Sequence, residues 1–173
     1  MGGRGAASSG GGGKASSQSE KEAMLEKASN NIGSAIDEYK EKGFITSLPI
    51  NVGKVDKEVV RHAKSIGNPL ENNSMYFTGN ALSHSMRDVK QNNGIAVTAE
   101  DFKSFPKNKS SMKVYYDKST GNYTYTDGTN KFILKPNVKV KLKNGRKSVV
   151  TLVTATRMRS ADEFNMGKYV LIK

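Results

Sequence analysis

Cysteine is absent from the 173 residues, which excludes disulfides and thiolate metal sites and is compatible with a reducing compartment. Only two histidines occur, His62 and His84, too few for an ordinary structural zinc site. No apolar run approaches the roughly 20 residues that cross a bilayer, and the N-terminus lacks the apolar core of a signal peptide. The expectation is a soluble, intracellular protein with no membrane partner. Acidic residues are scarce where the cations collect. Residues 1–60 hold eight Lys/Arg and eight Asp/Glu, whereas residues 61–173 hold twenty against eight, so the second part carries the whole net charge of +12. A localised positive field points to a polyanion or an acidic surface; solubility alone also accounts for it.

The first residues, MGGRGAASSGGGGKASSQ, have almost nothing to bury and maximal backbone entropy to lose, so residues 1–18 read as a disordered leader. Ser19 opens a capping-box pattern with Glu22. Leu25, Ala28, Ile32, Ala35 or Ile36 and Tyr39 then recur at helical spacing up to Gly43. FITSLPINVG is a short extended or turning piece, and Asp56 can cap a second helix over 56–66. These elements form a helical N-terminal region, 19–67. A third helix, capped by Asn80 or Thr78, carries Ala81, Leu82, Met86 and Val89 and ends at Asn93-Gly94, with His84, Arg87 or Asp88, and Gln91 on one face. Thr98 can cap a fourth, which Pro106 stops after Phe105.

The remainder alternates with period two. SMKVYYD, NYTYTD, KFILK, VKVKLK and KSVVTLVTAT are strand candidates, with KYVLIK a final one, and Pro136-Asn137 separates the third from the fourth. Asn144-Gly145 is the two-residue loop that a type I′ hairpin prefers. That loop sets Val140 opposite Val149 and Val138 opposite Thr151. The other face then bears Lys139, Lys141, Lys143, Arg146 and Ser148, continuing to Val150, Leu152, Thr154 and Thr156. A row of lysines on one sheet face repels itself and profits from an anionic ligand, although edge strands also carry lysines simply to stay soluble. The predicted fold class is α+β, with N-terminal helices packed on an antiparallel meander of four to six strands, and residues 68–173 forming a basic domain.

No Walker phosphate loop, dinucleotide fingerprint, zinc-protease helix or serine-hydrolase elbow is present. What remains is one helix histidine, a lysine row and a hydroxyl pair. That inventory suits metal-independent RNA cleavage, which needs a base for the 2′-hydroxyl, cations for the phosphorane and an acid for the leaving oxygen. A neutral imidazole is suited to the first task. An ordinary surface histidine is the plain alternative.

The run ALSHSMRDVKQNNGIAVTAEDFKSFP, the strands after it and the closing VVTLVTATRM, about residues 76–159, resemble the phage-encoded barnase–EndoU–colicin–RelE (BECR) nucleases. The resemblance implies a helix histidine at His84, a sheet cation at Lys139 or Lys141, and a hydroxyl at Thr154. It implies RNA contacts from Arg87, Lys90, Lys143, Arg146, Thr156 and Arg157, with no metal and no cofactor. A second histidine often follows the first in that class; here Lys90 or Gln91 occupies the region. The implied activity is a phage or prophage toxin-like ribonuclease, with transfer RNA the first substrate to test. Its partners would be RNA and an immunity or phage head protein, and its place the host cytoplasm or the virion. Two rivals stand beside it: a nucleic-acid-binding protein without chemistry, in which Tyr115, Tyr116, Tyr123, Tyr125 and Phe132 stack on bases, and a head-associated structural protein.

Because the leader offers nothing apolar beyond Met1 and three alanines, deleting residues 2–17 should leave the thermal midpoint nearly unchanged. A large drop in a calorimetric scan would show that the leader packs on the domain.

Overall fold

The computed structural model describes residues 2–165 and 167–173, with side chains from Gln18 onward; the expected leader, 1–18, falls from Gly2 onward on backbone that belongs to the first helix, ahead of the start expected at Ser19. Helix α1 (Gly2–Lys42) buries Ala28, Ile32, Ala35 and Ile36, the stripe its spacing predicts. It ends at Gly43, whose φ of 80° is the left-handed conformation that glycine adopts without a steric cost. Strand β1 (Ile50–Lys54) and helix α2 (Lys57–Ser65) follow. Asp56 precedes α2 but does not cap it with its side chain. Its carboxylate instead accepts from Tyr125 Oη at 2.8 Å and pairs with Lys173, tying α2 to the sheet and to the chain end.

The fold is α+β. The sheet is larger than the expected meander, with seven strands in the order β1-β2-β6-β5-β4-β3-β7. Besides β1 these are β2 (Ser74–Phe77), β3 (Lys113–Asp117), β4 (Tyr123–Thr126), β5 (Asn130–Leu142), β6 (Gly145–Arg157) and β7 (Tyr169–Leu171). β2 runs parallel to β6 and all other neighbours are antiparallel. Two features hid β1 and β2 from the sequence. Each is only four or five residues long, and β2 pairs with a strand some seventy residues later, which no local connection rule reaches.

Pro136-Asn137 does not divide two strands. It is a bulge within β5, lying between the pairs Lys135↔Thr151 and Val138↔Val149. Proline has no ladder donor to lose at a bulge, and Asn137 tolerates a φ of 55°. The Asn137 side chain also accepts from the Glu71 N–H at 3.0 Å, fixing the loop before β2. The hairpin register also differs from expectation. Leu142 pairs with Gly145 and Val138 with Val149, so Lys143 and Asn144 form the loop and each partner moves by two residues. A two-residue shift keeps every side chain on its face, so the lysines stay exposed and Val140 and Val149 stay buried.

Two helix ends also depart from prediction. The expected third helix is two: α3 (Gly79–Ser85), capped by Thr78, and α4 (Asp88–Asn92), with an extended Arg87 between them. Ser83 and Ser85 donate to the carbonyls of Gly79 and Ala81, each at 2.8 Å, a back-bonding that weakens and bends helices. Helix α5 (Ala99–Asn108), capped by Thr98, runs two residues past Pro106 before a 3-10 turn. Burial of Phe102, Phe105 and Pro106 outweighs the hydrogen bond that the proline cannot make.

The core lies between the helices and one sheet face. Phe105 is its centre, with ring centroids 4.6 Å from Phe132, 5.2 Å from Phe77 and 5.9 Å from Tyr125. Among the described residues no helix is long and apolar enough to cross a membrane. Phe105→Ala should cost about 3–5 kcal/mol in urea unfolding, since three aromatic neighbours cannot all collapse into the space left. A loss below 1 kcal/mol would mean that the centre of the core lies elsewhere.

Candidate functional site

Strand β6 has a partner on both sides only as far as Thr151. β2 pairs with it at Val150 and Thr151, then turns away at Thr78 into α3. Beyond that point the outer edge of β6 is covered by α3, α4 and the segment after them. The Ala155 N–H donates to Ser85 Oγ at 2.9 Å, and Lys90 Nζ donates to the Ala155 carbonyl at 3.0 Å. The Arg157 N–H and Thr156 hydroxyl both donate to the Ile95 carbonyl at 2.8 Å. An uncovered edge would leave these groups unpaired or open to another strand.

Lys90 makes one further contact: its ammonium donates to the hydroxyl of Thr154. The lysine is buried. Burial foremost, then the nearby Arg87 and Lys131 cations, lowers its pKa below the ordinary lysine value. His84 stands exposed at the end of α3. Partial desolvation, then Arg87 and Lys90, lowers its pKa, which favours the neutral imidazole. The helix break at Arg87 therefore turns Lys90 under the sheet edge while His84 remains at the surface beside it.

A second bulge decides which sheet face holds the hydroxyls. Leu134 pairs with Leu152 and Ile133 with Thr154, leaving Val153 as the extra residue on β6. Past it, Ala155 joins Leu152 and Val150 on the helix-covered face, and Thr154 and Thr156 fall on the opposite one. Lys139 and Lys141, paired with Ser148 and Arg146, share the register side of Val150 and Leu152. The lysine row and the hydroxyl pair, expected on one face, are thus on opposite faces. They are also six residues apart along the strand, about 20 Å at the usual rise.

The chosen residues therefore divide into two groups. His84, Arg87, Lys90, Thr154 and Thr156 collect along the outer edge of β6, with Arg157 at its end. Lys139, Lys141, Lys143 and Arg146 surround the hairpin tip, all exposed. Two residues that sequence reasoning gave no role join the first group. Lys131 pairs across the strands with Thr156 and lies near Lys90, and Glu163 binds its ammonium at 2.7 Å. Nothing in the spacing of 90, 131, 154 and 163 announces this contact. Of the five aromatics considered for stacking, only Tyr115 lies on the face of Thr154; Tyr116, Tyr123, Tyr125 and Phe132 are on the helix-covered side. His62 has a structural role, with Nδ1 2.8 Å from the Tyr123 hydroxyl and the ring against Tyr116. Among the described residues, no three His, Asp or Glu side chains gather as metal ligands would.

Comparison with protein-family models, with curated proteins and with solved structures finds no match.

Replacing Lys90 with methionine keeps the length of the side chain but removes its charge and its donors. His84 should then titrate at higher pH than in the native chain, because one of the cations opposing its protonation is gone. The chain should also lose about 1–3 kcal/mol of stability, as the Ala155 carbonyl is left without its donor. An NMR titration of His84 beside a denaturant series measures both. An unchanged histidine pKa would separate the two groups.

Proposed function

We propose that the chain is a metal-independent ribonuclease whose site is the outer edge of β6. The observation carrying this reading is the buried Lys90 ammonium on the Thr154 hydroxyl, beside an exposed histidine whose neutral form is favoured. His84 takes the 2′-hydroxyl proton of the substrate. The freed oxygen attacks phosphorus, and the P–O5′ bond breaks. Lys90 neutralises the charge gathering on the phosphoryl oxygens, and its lowered pKa suits it to protonate the departing 5′-oxygen. Thr154 orients the ammonium, and Arg87 holds an adjoining phosphate. The products are a 2′,3′-cyclic phosphate and a 5′-hydroxyl.

RNA is favoured over DNA because the built-in nucleophile lets so sparse a site work. The resemblance of residues 76–159 to phage BECR nucleases supports the same chemistry, with transfer RNA as the first substrate and the host cytoplasm as the place of action. Relative to that resemblance the sheet cation moves: Lys90, in the region of the second histidine, takes the role assigned to Lys139 or Lys141. The hairpin lysines become phosphate contacts distant from the chemistry.

A second reading, nucleic-acid binding without cleavage, is favoured by that same distance. A basic tip about 20 Å along the strands from Thr154 needs no chemistry to be useful.

Purified protein incubated with total RNA in EDTA separates the two. His84→Ala should lower cleavage by on the order of 100- to 10,000-fold while RNA binding survives. Activity should fall as pH drops below about 6.5, since protonation removes the base. The acid limb should lie on the low side of that value because the folded protein depresses the pKa of His84. Replacing Lys139, Lys141 and Lys143 together should weaken RNA binding and leave the turnover of bound RNA unchanged. Full activity in folded His84→Ala would end the ribonuclease reading, and binding without any cleavage in the native chain would favour the second.

A further inference from the structure

The segment between β6 and β7 crosses the face that carries Thr154 and Thr156. It is tied at its two ends by backbone hydrogen bonds of Met158 and Lys168 to the sheet, and side chains of Met158, Glu163 and Phe164 hold it in between. The Met158 sulfur lies 3.1 Å from the Thr126 hydroxyl. The Phe164 ring stacks on Tyr115, centroids 4.3 Å apart and planes within 3°. Glu163 Oε1 accepts from Lys131 at 2.7 Å. Between these points Ser160, Ala161 and Asp162 are exposed. A cavity of about 420 Å³ remains beside the segment, against Lys113, Tyr115, Thr126 and Ala161. Among the described residues the segment is a strap whose exposed stretch, Ser160 to Asp162, lies between its points of attachment.

The middle contact is chemically unusual. The Glu163 and Lys131 side chains are only 14% and 15% exposed, and Glu163 Oε2 is buried with no hydrogen-bond partner. An orphaned carboxylate oxygen costs free energy that one ion pair need not repay. Its sister oxygen Oε1 is bound by Lys131, and Lys131 is close enough to Lys90 to depress that lysine's pKa. A carboxylate on the ammonium of Lys131, on a hydroxyl-lined sheet face, occupies the place that a phosphate would take. The cross-strand row at that level is Lys113, Thr126, Lys131 and Thr156, two cations and two hydroxyls side by side.

We infer that Lys131 is a second seat for an RNA backbone phosphate, next to the seat at Lys90 and Thr154, and that Glu163 fills it as an internal anion until RNA displaces it. The inference rests on the reading of this face as an RNA site. It makes the strap a competitive gate. Binding at the first seat displaces no internal anion, and full engagement requires a phosphate to take Glu163's place on Lys131. The exchange trades an imperfectly paired carboxylate for a phosphate with several acceptor oxygens, while the released carboxylate returns to water.

The test uses the full chain and a single-stranded oligoribonucleotide with every 2′-hydroxyl methylated, so that binding is read without cleavage. Affinity is measured across a salt series. Glu163→Gln should bind several-fold tighter and steepen the log–log salt dependence by about 0.7, one further phosphate contact. Asp162→Asn removes the same charge from the exposed part of the strap and should do neither. Phe164→Ala leaves every charge in place and does not orphan Lys131; it should also tighten binding by loosening the strap. Adding Lys131→Met to Glu163→Gln should abolish the gain. If Glu163→Gln and Phe164→Ala bind no tighter than Asp162→Asn while Lys90→Met weakens binding, the gate is wrong and the RNA face stands. If Lys90→Met has no effect either, the reading of the face falls and the gate with it.

Discussion

The free outer edge of β6 is the constraint on which the rest of the molecule depends. Once β2 turns away after Phe77, the N–H and C=O of Ala155 and the N–H of Arg157 have no strand to meet. Buried backbone groups have to be paired, and an open edge invites another chain. The protein answers with side chains and a loop carbonyl in place of a strand. The Ser85 hydroxyl receives one N–H, the Lys90 ammonium caps the carbonyl and the Ile95 carbonyl takes the next N–H. Placing a serine and a lysine there requires the helix to bend between them, which is where α3 and α4 part. A demand of backbone hydrogen bonding thus brings a histidine, a buried cation and a threonine hydroxyl to one place.

Using lysine as an edge cap has a chemical consequence. A buried ammonium flanked by other cations loses part of its preference for the charged state, and it does the same to a neighbouring imidazole. On the proposed ribonuclease reading, the edge cap and the acid of the reaction are the same group. Glu163 relieves the positive charge on the Lys131 side but leaves one oxygen without a partner. The hairpin tip adds cations in open solvent, which on the proposed reading would act on encounter and on affinity at low salt more than on chemistry.

The two bulges of the β5–β6 pair do different work. The one at Pro136-Asn137 adds a residue to β5 and, through the Asn137 side chain, anchors the loop that delivers β2. The one at Val153 adds a residue to β6 and reverses the facing of everything after it. Without it Thr154 would point with Leu152 into the core and Ala155 towards Lys131's side. A single unpaired residue therefore decides whether the hydroxyls join the lysine row or leave it.

The sequence by itself determined the elements that follow from local chemistry. The stripe of Ala28, Ile32 and Ile36, the caps at Thr78 and Thr98, the stop at Gly43 and the alternation of β3 to β6 are all visible as period, cap or turn, because each is settled within a few residues. The α+β class follows from their order, and the concentration of charge after residue 60 is plain from counting. Only the tertiary structure decided the rest. Val153 and Pro136 read as ordinary strand and ordinary breaker until a partner strand shows which residue is unpaired. Lys90 reads as a surface lysine until the strand edge that needs its protons is in place, and the meeting of Lys131 with Glu163 needs the chain between them folded. Bulges, edge caps and long-range ion pairs are properties of two segments at once, so one segment's residues carry no local signal of them.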